Sequence, residues 1–273
     1  MRTRNQPPPV LDAAPDLRGN VDSLQRGLEI LRLFGPDEPS LSVSEIATRI
    51  GLPSPTTSRL IETLKASRFV TSLPGTDIVH PSVACHHIGA AQILGDDLRL
   101  AAEQPLKSLS NEAGSKVCLG VRERTNMLCI LEYRASWDRQ SPSLEGGKVP
   151  IATSAMGRAW LWAQQPQVQA ELIQRIRTEA DSDLGKTAMP SVYRAFHDLE
   201  VHGYCVDTSD DYLSVATPLQ ITDVVNASVS CTVRPSLDEA HESELAEKLL
   251  KAVRTIVTAF RRVTKDRRSP HTT

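Results

Sequence analysis

Five side chains with the chemistry of nucleic-acid contacts lie within six consecutive positions, residues 54–59. Four are hydroxyls and one is a guanidinium: Ser54, Thr56, Thr57, Ser58 and Arg59. Such groups suit phosphate oxygens and base edges. A solvated helix face of this length would more often carry Glu and Lys. The composition of this segment therefore favours contact with a nucleic acid.

Residues 41–69 predict two short helices joined by a tight turn, which would position these groups. The first helix has apolar residues at helical spacing, namely Val43, Ile46, Ala47 and Ile50. Gly51 can end it, because glycine enters the left-handed region without a steric penalty. Ser54 is the expected N-cap of the second helix, with Pro55 at the first helical position. This is the helix-turn-helix pattern, whose second helix enters the major groove, although ordinary helical bundles also contain it.

The stretch SEIATRIGLPSPTTSRLIETL resembles the N-terminal winged helix-turn-helix of the isocitrate lyase regulator (IclR) family of bacterial transcription factors. The positions that match the family pattern without a gap are Ser44, Glu45, Ile46, Ala47, Gly51, Leu52, Pro53, Thr56, Arg59, Leu60, Thr63 and Leu64. Ser54, Pro55, Thr57 and Ser58 depart from it, where the family often has lysine, serine, valine and histidine. Because this lysine is missing, the operator sequence and one phosphate contact are not expected to carry over from the family. The candidate DNA-binding residues are Ser44, Ser54, Pro55, Thr56, Thr57, Ser58 and Arg59.

The rest of the first domain is expected to complete a winged fold over residues 20–82. A preceding helix, capped by Asp22 or Ser23, should bury the face formed by Leu24, Leu28, Leu31 and Phe34. Residues 69–71 and 78–80 predict a hairpin around Pro74 and Gly75, which would be the wing. The proline-rich residues 1–19 have no apolar signal core and are expected to be a disordered leader.

Residues 83–100 predict a helix, which the family uses to link the domains and to pair subunits. A cluster of metal-ligating types precedes and enters it: His80, Cys85, His86 and His87. Adjacent side chains on a helix point about 100 degrees apart, so His86 and His87 do not readily face one ion. We therefore predict neither a metal site nor a cofactor.

Residues 101–264 alternate between helical and strand-like patterns. Helices are expected over 104–113, around Ala155–Trp162, over 168–178, over 191–202 and from Asp238; strands are expected over 116–122, 127–133, 148–151, 214–219 and 224–233. This order suggests an α+β chain of two domains, and the resemblance implies a GAF-like α/β effector-binding domain with an antiparallel sheet. The basic residues 265–273 are expected to be a disordered tail.

The resemblance continues through this second domain. The segment PIATSAMGRA matches a family segment, with Arg158 in place of the usual lysine; HGY followed by Asp207 and the segment SVATP match two more. The connection between Asp207 and Ser214 is about three residues shorter than in well-known members. In relatives that bind small carboxylates, the corresponding positions hold the ligand; here these are Ala155, Met156, Asp207, Ser214, Ser228 and Ser230.

The effector set is chemically reasonable, because N–H groups at a helix start can hold a carboxylate and serines two apart share one face of a strand. Plain structural roles remain open for the same residues. Ser228 and Ser230 could form the wet face of an edge strand, Asp207 could cap a turn, and Met156 could be core packing.

Composition bounds the function classes. The 273 residues suffice for two small domains or one large one, and the five cysteines are scattered without a CxxC pair, which favours reduced thiols in a cytoplasm. No apolar run is long enough to span a membrane. Residues 54–68 carry Arg59, Lys65 and Arg68 against Glu62, a balance of +2, so a single domain should bind DNA weakly. A homodimer or homotetramer on a palindromic operator is therefore expected.

Enzyme signatures are thin, since the chain has no GxSxG elbow, phosphate-cradling glycine loop or HExxH motif. We predict a cytoplasmic repressor or activator with no catalytic residues, whose binding to double-stranded DNA responds to a small aliphatic or aromatic acid. Two alternatives use the same sensor domain: a hydrolase or transferase, and a sensor or scaffold that binds no DNA.

Overall fold

The computed structural model describes residues 21–36, 38–95, 97–134, 143–179, 182–221, 226–234 and 239–268. They belong to two compact units, within residues 1–87 and 88–273. The expected leader, residues 1–19, lies outside the described residues, and the other domain limits stay predictions. Within the described part, no helix is both long enough and apolar enough to cross a membrane.

The first unit is a winged helix-turn-helix, as predicted. Its elements are α1 (Asp22–Leu31), β1 (Leu41–Ser42), α2 (Val43–Ile50), α3 (Ser54–Ala66), β2 (Val70–Ser72) and β3 (Ile78–Pro81). The strands form an antiparallel sheet in the order β1-β3-β2. Its hydrophobic core is formed by the buried residues Ile30, Leu41, Ile46, Ile61, Val70 and Val79. Strand β1 was not predicted, because two residues are too few to show an alternating pattern.

The turn between α2 and α3 explains why the two helices end and begin where they do. Ser42 and Glu45 form a capping box at the start of α2, and Gly51 ends that helix with φ 66°. The role of Gly51 is confirmed. The expected N-cap of α3 is wrong by one residue, since Pro53 occupies the cap without a side-chain bond.

The expected apolar face of α1 is confirmed for Leu31 and Phe34, which pack against the core of the first unit, and is wrong for Leu24 and Leu28. Leu24 and Leu28 are 62% and 52% exposed, whereas Gly27 and Ile30 are buried. Gly27 faces α3, since a Cβ at that position would lie in ordinary van der Waals contact with a methyl carbon of Leu64, at 3.8 Å. The contact with α3 therefore decides which side of α1 is buried.

The second unit consists of one β-sheet and its helices, and it follows a helix that begins within the first unit. The elements are α4 (Val83–Gly95), α5 (Asp97–Ala113), β4 (Lys116–Glu123), β5 (Asn126–Tyr133), β6 (Lys148–Pro150), α6 (Ala155–Trp162), α7 (Pro166–Glu179), α8 (Ser182–His202), β7 (Cys205–Thr208), β8 (Leu213–Gln220), β9 (Asn226–Val233) and α9 (Glu239–Arg268). The strands form a six-stranded antiparallel sheet in the order β6-β5-β4-β9-β8-β7. The predicted fold class is confirmed. Strand β7 was missed, and α9 extends to Arg268, within the segment expected to be a tail.

Each face of the sheet packs against its own helices. Val117, Val215 and Val229 share a core with residues of α5 and α9 on one face. Cys118 and Met127 face the other way and share a core with residues of α6, α7 and α8. Because side chains alternate along a strand, Ser228 and Ser230 lie on the face that carries α6.

Candidate functional site

The start of α3 presents an exposed polar face. Ser54, Pro55, Thr56, Ser58 and Arg59 are all exposed to solvent. Ser44, in the first turn of α2, is exposed as well, and its hydroxyl lies 3.0 Å from that of Ser42. All six could therefore meet an external surface.

Thr57 does not belong to this face. Its side chain is 0% exposed, and its hydroxyl donates to the carbonyl oxygen of Pro53 at 3.2 Å. The burial removes Thr57 from the candidate DNA contacts. The hydroxyl adds a second bond to this carbonyl, which also accepts the Thr57 N–H at 3.0 Å, and so helps to fix the start of α3.

Ion pairs show which cations of the first unit remain available. Carboxylates hold three of them: Arg26 with Glu29 at 3.4 Å, Arg49 with Glu38 at 2.5 Å and Lys65 with Glu62 at 2.9 Å. Within the described residues, the side chains of Arg59 and Arg68 have no such partner. Of these two residues, only Arg59 lies on the exposed face of α3. A phosphate or base edge could therefore bind its guanidinium without displacing a carboxylate.

The second unit carries a row of polar residues across neighbouring strands on the α6 face. Asp207 of β7 is paired with Ser214 of β8, which is paired with Thr232 of β9. The hydroxyl oxygens of Ser214 and Thr232 lie 3.1 Å apart. The row continues onto β4 with Lys116, which is paired with Thr232.

Helix α6 is fixed over β8 with its first turn towards this row. The Cys205 thiol lies 3.5 Å from the Ala155 carbonyl oxygen, and the Ser228 hydroxyl donates to the Met156 carbonyl oxygen at 2.8 Å. At the other end, the amide of Gln220 donates to the carbonyl oxygen of Ala163. Because β8 runs from Leu213 to Gln220, α6 runs in the same direction and begins nearer the polar row.

The start of α6 retains backbone donors. The Ser154 hydroxyl accepts the Gly157 N–H at 3.1 Å, which caps the helix. Within the described residues, no acceptor takes the N–H groups of Ala155 and Met156. Two such groups at a helix start can bind an anion.

The two predicted serines of β9 are not on an edge strand. Strand β9 lies between β4 and β8, and Ser228 and Ser230 are 0% and 6% exposed. That alternative is therefore wrong. Ser228 donates its hydroxyl to Met156, so it anchors α6, while Met156 itself is buried in the core under the helix.

Asp207 lies within β7 and takes part in a network that sequence reasoning missed. The Arg158 Nη2 donates to Asp207 Oδ1 at 2.6 Å, and the Tyr212 hydroxyl donates to Asp207 Oδ2 at 3.1 Å. Residues 209–212 form the short turn between β7 and β8, closed by a bond from the Ser209 N–H to the Tyr212 carbonyl oxygen at 2.9 Å. The replacement of the usual family lysine by Arg158 was the available signal, and the turn is what brings Tyr212 to Asp207.

The cysteine of this site is held neutral. Burial raises the pKa of the Cys205 thiol to about 12, and burial likewise raises the pKa of the Cys231 thiol to about 12. A thiol in this state is a weak hydrogen-bond donor and not a nucleophile at neutral pH. In the described residues, no group of three or more His, Cys, Asp or Glu side chains could hold a metal ion.

These raised pKa values predict a loss of stability in alkali. Unfolded thiols ionise near pH 8.5, whereas the folded ones keep their protons up to about pH 12, so the unfolded chain binds fewer protons in between. The free energy of unfolding should therefore fall as pH rises from about 9 to about 12. Cys205→Ala should make that fall shallower by up to about 1.4 kcal/mol per pH unit. Urea unfolding of both proteins at several pH values measures this, and equal slopes would contradict it.

The described residues thus combine a winged helix-turn-helix, whose exposed helix carries an arginine with no carboxylate partner among them, with a separate α/β unit, which is the architecture of a two-domain transcription regulator. Two sequence profiles match it: the IclR helix-turn-helix domain over residues 23–74 and the bacterial transcriptional regulator IclR C-terminal domain over residues 91–258. The chain belongs to the IclR family.

Individual relatives agree with this assignment. The chain is 26% identical to the transcriptional repressor IclR of Escherichia coli over 171 residues, which is 61% of each chain. It is 25% identical to the E. coli repressor AllR over 200 residues, 72% of this chain and 73% of that one. An IclR-family regulator from Brucella abortus has 28% identity and a TM-score of 0.79, over 89% of this chain and 93% of its own. These similarities favour a regulator over an enzyme.

Proposed function

We propose that this protein binds double-stranded operator DNA through the exposed face of α3 and that a small organic acid bound at the start of α6 modulates this binding. The observation that carries the first half is Arg59, an exposed arginine without a carboxylate partner in the described residues. The relatives named as repressors support it.

The second half is supported by the donor-rich surroundings of α6. The N–H groups of Ala155 and Met156 can donate to a carboxylate, and so can whichever of the Ser214 and Thr232 hydroxyls does not donate to the other. An IclR homologue from Microbacterium hydrocarbonoxydans, 19% identical with a TM-score of 0.68, was solved as a complex with 4-hydroxybenzoate. An aromatic or short aliphatic acid is the corresponding effector class here.

The proposed mechanism is linkage between the two units. An acid that binds one arrangement of subunits better than another shifts the population towards that arrangement. Two copies of α3 on a palindromic operator must match the spacing of its half-sites, so a change in arrangement alters DNA affinity. A homodimer or homotetramer in the cytoplasm is the setting that we propose for this mechanism.

The direct test is DNA binding by the full chain. A labelled fragment from upstream of its own gene and a scrambled fragment of equal length are compared by fluorescence anisotropy at several salt concentrations. We expect preferential binding to the first, weakened by salt because bound phosphates release counterions on association. Equal binding to both fragments would contradict a specific regulator.

Ser214→Leu tests the effector site. The larger side chain removes the hydroxyl contact with Thr232 and fills space in the polar row, so the acid concentration needed to change DNA binding should rise at least about tenfold, or roughly 1.4 kcal/mol. DNA affinity without acid should stay near that of the wild type, because Ser214 lies in the second unit. Ser214→Ala, which removes the hydroxyl and adds no bulk, is the matched control. An unaltered dose-response curve for Ser214→Leu would remove this residue from the site.

A further inference from the structure

Arg158 places a charged group in the interior of the second unit with few partners. Its side chain is 4% exposed. A guanidinium carries five N–H donors, yet within the described residues its one hydrogen bond runs from Nη2 to Asp207, and Nε is buried with no acceptor. Buried donors are nearly always paired, so this group is suited to a further acceptor.

Asp207, in contrast, has a hydrogen-bond partner on each carboxylate oxygen. One carboxylate oxygen accepts from Arg158 and the other accepts from the hydroxyl of Tyr212. Burial and the charge of Asp207 raise the pKa of Tyr212, so the phenol keeps its proton and donates. Tyr212 is itself fixed by the turn, where the Ser209 hydroxyl accepts its N–H at 3.2 Å. Asp207 and Tyr212 together hold the guanidinium in one orientation.

Arg158 lies on α6, close to the backbone N–H groups at the start of that helix. Arg158 follows Ala155 by three residues, and side chains three apart are neighbours on a helix surface. The charge of the guanidinium is balanced by Asp207, but its remaining donors add to the N–H groups of Ala155 and Met156. Every one of these groups donates, which fits an acceptor-rich anion better than a neutral ligand.

We propose that Arg158 recognises the carboxylate of the effector, and that Asp207 and Tyr212 position its guanidinium without contacting the effector themselves. This inference rests on the proposed effector function and reverses the role expected for Asp207. It makes Arg158 the specificity-determining residue of the site, at a position where the family usually has a lysine.

The test compares acids with their neutral amides on the full-length protein. Isothermal titration calorimetry with 4-hydroxybenzoate and 4-hydroxybenzamide, and with butyrate and butyramide, gives an acid-to-amide preference for each variant. The wild type should prefer the acid of at least one pair by about tenfold or more, as charge-assisted hydrogen bonds allow. Arg158→Lys retains the charge but loses the planar fork, so its acid affinity should fall about tenfold.

Asp207→Asn separates the two roles. Its amide oxygen can still hold Arg158, while the loss of a negative charge beside the guanidinium should raise acid affinity severalfold. Tyr212→Phe, which loosens the support, should lower acid affinity severalfold. The double variant Arg158→Gln/Asp207→Asn leaves no unpaired buried charge, and its acid-to-amide preference should fall severalfold, to what the N–H groups of Ala155 and Met156 supply. Circular dichroism verifies folding.

Three outcomes would overturn the inference. Acid binding by Arg158→Lys equal to that of the wild type would mean that Arg158 does not contact the carboxylate. A loss in Asp207→Asn as large as in Arg158→Lys would place Asp207 on the effector instead. Equal wild-type affinity for acid and amide would leave Arg158 a structural group. If the wild type binds none of these acids, the proposed effector function itself fails, and this inference fails with it.

Discussion

Replacing Arg59 with alanine is expected to abolish or severely weaken operator binding. Arg59 is exposed on α3, and within the described residues no carboxylate competes for its guanidinium. A bidentate contact of arginine with a base is worth about 1–3 kcal/mol, and a dimer loses it at both half-sites, so the combined loss should be about 2–6 kcal/mol. Anisotropy titrations of the operator fragment measure it.

The matched control for Arg59→Ala is Arg254→Ala. Arg254 is an exposed arginine of α9, in the second unit, so the control removes the same charge from a different place. We expect its operator affinity to stay within about twofold of the wild type, as usual for a surface change away from a site. Effector binding should be unchanged in Arg59→Ala. Equal operator affinity in the two variants would show that α3 is not the recognition helix.

Replacing Gly157 with alanine is expected to destabilise the second unit strongly. A Cβ at this position would lie 2.4 Å from both the Cα and the carbonyl oxygen of Ile151. Because these are backbone atoms, no side-chain rotation can relieve the overlap, and α6 must move at its first turn. We expect a loss of about 3 kcal/mol or more in the free energy of unfolding, measured by denaturant titration. Acid binding should weaken too, since Ala155, Met156 and Arg158 lie in the same helical turn and would move with it.

Gly89→Ala is the control for Gly157→Ala. Gly89 lies inside α4, and apart from its own helix no atom of the described residues would lie within 4 Å of a Cβ there. Alanine should therefore be neutral or stabilise the protein by up to about 1 kcal/mol through its helix propensity. If Gly157→Ala unfolds at the same denaturant concentration as Gly89→Ala, the close approach of α6 to Ile151 is not a structural constraint.

Local sequence patterns were sufficient to predict much of the structure of the first unit. Gly51 ends α2 because of its own backbone freedom, and the apolar spacing in α2 specifies which side is buried. Thr57 could not be assigned in the same way. Its hydroxyl is of the same kind as those of Thr56 and Ser58, and burial against the Pro53 carbonyl follows only from the packing of α3.

The candidate effector site was predictable as a set of positions but not as a set of interactions. Arg158 and Asp207 are 49 residues apart in the chain, and no local period links them. Likewise, the donation from Ser228 to Met156 depends on α6 lying across β8 and β9, which only the sheet order determines. Family resemblance located these residues, whereas their division into anchors, supports and free donors required the tertiary structure.

The two units have separate hydrophobic cores, and this bears on how the protein can be engineered and how it can diverge. Ile46 and Ile61 pack only within the first core, whereas Val229 and Leu249 belong to a core of the second. Units with cores of their own can in principle fold alone. Chimaeras that join this helix-turn-helix to the second unit of another member should therefore keep both parts intact, and under the proposed function promoter choice and effector choice could then be exchanged independently.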